Sequence, residues 1–85
     1  MENIIAVFTN RNQAMQFSSY FKRMAISSKI INTPRELSVS CGLSVVFNSK
    51  FLSHAKKIFE NYGYVGKVKM YIISGDNYGK FRQIY

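Results

Sequence analysis

Apolar residues fall in short blocks whose period changes along the chain. Residues Asn3–Phe8, "NIIAVF", form an apolar run without alternation. Such a run suits a central strand covered on at least one face. Ala14, Phe17, Phe21 and Met24 then recur at helical spacing. That period predicts a helix over about residues 10–25, with Thr9 or Asn10 as its cap. "SSKIINT" carries β-branched Ile30 and Ile31 and reads as a second strand. Pro34 ends it, because proline lacks the N–H that a ladder needs. "LSVVF", Leu43–Phe47, is the third strand, with Leu43, Val45 and Phe47 on one face.

Asn48 or Ser49 caps a second helix. Phe51, Ala55, Ile58 and Tyr62 lie along one side of it, and Gly63 sits where a left-handed cap belongs. "VGKVKMYII" then alternates. Val68, Met70 and Ile72 point one way, and Lys67, Lys69 and Tyr71 the other, as in a half-buried antiparallel strand. The tail holds turn residues Gly75, Asp76, Asn77 and Gly79, and its end, "KFRQIY", can add a fifth strand.

The order β-α-β-β-α-β predicts an α+β fold of the ferredoxin-like split type. Two helices would cover one face of an antiparallel sheet, with strands one and three in its middle. Residues 1–85 form a single domain, the ferredoxin-like part covering about residues 3–74 and the tail 75–85. Strands two and three would be neighbours at the sheet edge, joined by a loop long enough to be functional.

Composition narrows the function classes. An apolar fraction of 47% is that of a globular chain. A net charge of +8, from 12 Lys and Arg against 4 acids, favours anionic partners. The basic residues are dispersed, as in Lys22/Arg23 on one helix and Lys56/Lys57 on the other, which suits solvated faces. One cysteine forms no internal disulfide, which fits a reducing, cytoplasmic setting. No apolar run is long enough to span a membrane, and the start does not read as a signal peptide.

The chemistry concentrates in "NTPRELSVSCGL", residues 32–43. Pro34 starts a turn. Arg35 and Glu36 are adjacent, a poor geometry for pairing, so Arg35 is free to serve another group. Ser38 and Ser40 suit a turn, and Gly42 permits close approach of another molecule. Cys41 is the pivot. An inert packed thiol is the ordinary role of a lone cysteine, but here the neighbours are polar. An arginine and turn N–H groups favour the thiolate, which is the reactive form. No second cysteine allows a dithiol cycle, and no spacing suits a metal site. His54, on the second helix, reads as a boundary or surface residue, and nothing in the sequence places it beside Cys41 as a base. There is no cofactor motif. A single thiol without base or cofactor suits a carrier more than a turnover enzyme.

"TPRELSVSCGLSVVF" resembles the signature of the putative Se/S carrier protein-like family, small bacterial proteins. The resemblance also covers "AVFTNRNQAMQFSSYFKRM" and "FLSHAKKIFENYG", so about residues 4–64, and leaves the tail out. It implies a persulfide or selenopersulfide on Cys41. It also implies a donor such as a cysteine desulfurase and an acceptor protein. Pro34, Arg35, Glu36, Ser38, Ser40, Cys41 and Gly42 match the family's segment.

Two other classes compete. An RNA-recognition domain shares the element order but needs exposed aromatics on its third strand, which "CGLSVVF" does not supply. Binding to nucleic acid should therefore be weak and non-specific. A partner-binding or ligand-sensing module is the other. Strand one is apolar on both faces, so the tail or a second subunit should cover the sheet's open side, and a homodimer is expected.

Overall fold

The computed structural model describes residues 2–34, 37, 42–63, 68–73 and 81–85. Its elements run β1 (Asn3–Phe8), α1 (Arg11–Arg23), β2 (Ser28–Asn32), β3 (Leu43–Asn48), α2 (Leu52–Asn61), β4 (Val68–Ile73) and β5 (Phe81–Gln83). A single turn of tighter helix, Ser49–Phe51, leads into α2. The strands form one sheet in the order β2-β3-β1-β4-β5, with every neighbouring pair antiparallel. The protein is a small α+β fold. Among the described residues it has a five-stranded antiparallel sheet and two helices. Strands β1 and β3 lie inside the sheet and β2 at its edge, as the apolar pattern predicts. The end of the tail takes the opposite edge as β5.

Register assigns the faces. Ile4 is level with Phe47 and Ile72, Ala6 with Val45 and Met70, and Phe8 with Val68. Side chains level across adjacent strands share a face. Both helices cover this one, burying Ala14, Phe17 and Phe21 of α1 and Ala55, Ile58 and Phe59 of α2. Phe17 is the hub. Its ring centroid lies 4.5 Å from Phe21, 5.1 Å from Phe59, 5.4 Å from Phe8 and 5.9 Å from Phe47. Aromatic pairs at such distances add to their burial energy.

The helix ends follow local chemistry. Asn10 Oδ1 accepts the Asn12 N–H at 2.8 Å, which caps α1. At the other end Ala25 takes a left-handed φ of 59°. The Ile26 N–H bonds the Phe21 carbonyl at 2.9 Å, and the Ala25 N–H bonds the Lys22 carbonyl at 3.1 Å. That is a Schellman ending with alanine where glycine is usual. It turns Met24 outward and carries Ile26 into the core instead. Asn48 accepts the Lys50 N–H at 3.0 Å and so caps the tight turn before α2. Gly63 follows α2 at φ 75°, the left-handed position expected of it. Phe59, not Tyr62, completes the inward stripe of α2. Tyr62 is the residue at which the helix ends, and it stays exposed.

The outward face of the sheet, where the tail or a second subunit is expected as cover, hides its apolar centre within the single chain. Ile5 is 0% exposed and Ile73 3% within the single chain. Val7, Ile31, Val46 and Tyr71 are half-buried, and Lys29 and Lys69 are exposed. Strand β5 lengthens the sheet. Ile84 and Tyr85 turn to the helical side, where Tyr85 lies 5.4 Å from Phe59. Ile5 is thus hidden within the single chain. Among the described residues no helix is long and apolar enough to cross a membrane.

Candidate functional site

The loop that carries the candidate chemistry leaves β2 and returns as β3. Its mouth is built by the hairpin ladder, which runs one step past Asn32 and Leu43. The Thr33 N–H donates to the Gly42 carbonyl at 3.2 Å. On the outward face, Thr33 Oγ1 and Ser44 Oγ lie 2.6 Å apart as a hydroxyl pair. Ser44 is fully buried, so the pair satisfies a polar group that would otherwise be costly to hide. Pro34 is half-buried, and its carbonyl accepts the Leu37 N–H at 3.0 Å. That bond has the spacing of a β-turn, in keeping with the turn expected at Pro34.

Gly42, the residue bonded to Cys41, is half-buried at the start of β3. Arg35, Glu36, Ser38, Ser40 and Cys41 lie outside the described residues. Of the sequence-derived site, Pro34 and Gly42 are placed, at the two sides of the loop mouth.

Topology fixes what else stands at this end of the sheet. Val7 is level with Ser44 and the two strands are antiparallel, so the end of β1 lies beside the start of β3. The N-terminus of α1, begun by Asn10, therefore belongs to the same end as Gly42. Its first turn holds no acidic residue. A helix N-terminus carries partial positive charge, which favours an anion nearby. His54 is elsewhere. It lies just past the far end of β3, about 20 Å of strand away from Gly42. Its ring is edge-on to Phe51 at 5.9 Å. His54 and Gly42 therefore belong to opposite ends of β3.

The family model of the putative Se/S carrier protein-like family matches residues 3–68. The chain belongs to that family. The match runs from the first residue of β1 to the first of β4, so it spans both helices and the whole loop. Among curated proteins and solved structures, none matches the chain. The Se/S carrier-like segment thus includes the loop mouth described above, while β5 and most of β4 lie beyond it.

Sequence reasoning missed the Thr33–Ser44 pair. The signal was present, since Ser44 is a polar residue inside the apolar run "LSVVF". Its partner was not legible, because only the register brings residues 33 and 44 to one face.

Proposed function

We propose that the chain carries sulfur or selenium on Cys41 between partner proteins. The observation that supports this most is the family match over residues 3–68, in a chain whose only cysteine lies in the matched loop. In the proposed reaction the Cys41 thiolate attacks the outer sulfur of a donor persulfide. The donor's S–S bond breaks, a new S–S bond forms on Cys41, and the donor leaves as its thiolate. The transferred sulfur keeps its oxidation state, and its proton travels with it or is lost to water. Selenium in the outer position follows the same course. Release to two thiols returns Cys41 as a thiol, forms one disulfide between them, and frees hydrogen sulfide or selenide.

The other loop residues have roles in this reading. Arg35 stabilises the thiolate and the anionic terminal atom by a charge-assisted hydrogen bond. Pro34 and the Thr33–Ser44 pair hold the mouth of the loop. Gly42 leaves room for the partner, and Glu36, Ser38 and Ser40 complete the turn. The N-terminus of α1 at the same end adds favourable potential for an anion. A lone thiol cannot resolve its own adduct, which suits holding a cargo rather than cycling it.

The strand order and pairing support a ferredoxin-like β-α-β-β-α-β sandwich extended by β5. A donor such as a cysteine desulfurase, a protein acceptor and a cytoplasmic setting complete the proposal. The test is intact-mass analysis after incubation with a desulfurase and either cysteine or selenocysteine. The expected result is one added sulfur or selenium, removed by a reductant and absent from Cys41→Ser. No adduct with several desulfurases would reject the carrier reading.

A further inference from the structure

Four large apolar side chains remain well exposed among the described residues: Met15 at 55%, Met24 at 43%, Ile30 at 41% and Tyr62 at 57%. None lies on the outward face of the sheet. Ile30 is level with Val45, at the edge of the helical face. The other three border two grooves on the helices. A groove of about 350 Å³ runs between α1 and α2, lined by Tyr20, Arg23, Met24, Lys57 and Tyr62 among others. A second, on the outer side of α1, shares Tyr20 and Arg23 and adds Met15. Among the described residues no carboxylate lines either groove.

The arrangement is ordered rather than a scatter of exposed residues. Tyr20 and Tyr62 stack across the gap between the helices, centroids 4.6 Å apart at 17°. The Arg23 guanidinium lies 6.0 Å from the Tyr20 ring centre. Tyrosine and arginine are among the residue types that most often carry binding energy at protein interfaces. Methionine adapts its shape to varied apolar partners. Lys57, on α2, adds a second cation across the groove from Arg23.

We propose that this surface docks an acidic amphipathic segment of a partner protein. Its apolar side chains would rest on Met24 and Tyr62, and its carboxylates would meet Arg23 and Lys57. Charge decides the occupant. A second copy brings another net +8 and, among the described residues of these grooves, no carboxylate to meet the cations. A nucleic-acid base finds the two tyrosines already closed on each other, and methionines give it no ring to stack on. The proposal does not depend on the carrier chemistry, since its test uses neither Cys41 nor a sulfur donor.

The probe is a synthetic amphipathic helix with leucines on one face and glutamates on the other. A version with lysine for glutamate and an oligouridylate serve as comparisons. Amide shifts of isotope-labelled protein are followed by NMR. The glutamate peptide is expected to shift Tyr20, Arg23, Lys57 and Tyr62, and the lysine peptide to shift none of them. Tyr62→Ala and Lys57→Glu should each weaken binding about fivefold or more. Lys29→Glu, an equal charge change on the outward sheet face, should weaken it far less. Thermal melts check that the variants stay folded. Three results would overturn the proposal: no binding of the glutamate peptide, shifts centred on the outward face, or equal weakening by Lys29→Glu. Tighter binding of oligouridylate at the same residues would also reject it and give the surface to nucleic acid.

Discussion

Two residue-scale features govern the loop: a thiol and the hydroxyl pair at its mouth. In the proposed carrier, the Arg35 cation lowers the energy of the Cys41 thiolate and so lowers its pKa. Alkylation of Cys41 followed against pH should then show a midpoint below the ordinary thiol value of about 8.5. Arg35→Ala should move that midpoint upward. A midpoint above the ordinary value, or no reaction before unfolding, would return Cys41 to an inert structural role. The hydroxyl pair gives a second prediction. Ser44→Ala leaves Thr33 without its partner and should cost about 1 kcal/mol in denaturant unfolding. Adding Thr33→Val should cost less than the two single changes summed, because the stranded hydroxyl is then gone.

The helix termini and the aromatic layer set the predictions at the scale of elements. Ala25 holds a left-handed φ of 59°, which a Cβ disfavours by about 1–2 kcal/mol. Glycine removes that strain but adds chain entropy to the unfolded state. The balance predicts that Ala25→Gly stabilises by about 0.5–1 kcal/mol, read as a higher denaturant midpoint with an unchanged slope. Phe17 contacts the other core phenylalanines from α1, α2, β1 and β3. Phe17→Ala should therefore cost about 3–5 kcal/mol, a large share of what a domain this small has. A loss below about 1 kcal/mol would mean that the layer rearranges freely around the gap.

Charge and leftover apolar surface are properties of the whole molecule. With a net charge of +8 the folded chain repels itself, and its four acids give little relief. Salt screens such repulsion over about 8 Å at physiological strength. Raising salt from low to physiological levels should raise the melting temperature and weaken any attraction to RNA. The same charge opposes self-association. Since Ile5 is already buried within one chain, light scattering at roughly tens of micromolar is expected to show a monomer at low salt. A stable dimer at low salt would contradict this.

The amino-acid sequence by itself determined the elements, because hydrophobic period, capping and turn chemistry are local. Ala14, Phe17 and Phe21 announced α1, Gly63 announced the end of α2, and "KFRQIY" announced β5. It also determined which segment holds the candidate chemistry, since Pro34, Arg35 and Cys41 fall within one short stretch of the chain. Tertiary structure alone decided what meets across long separations. Met24 and Tyr62 continue their helices' apolar stripes in sequence, yet each sits where its helix ends and is left outside. Thr33 finds Ser44 only through strand register, and Tyr20 finds Tyr62 only through the spacing of two helices on the sheet. Ile5 has the same side chain whether covered or bare, and its burial depends on parts of the chain that its own segment does not encode.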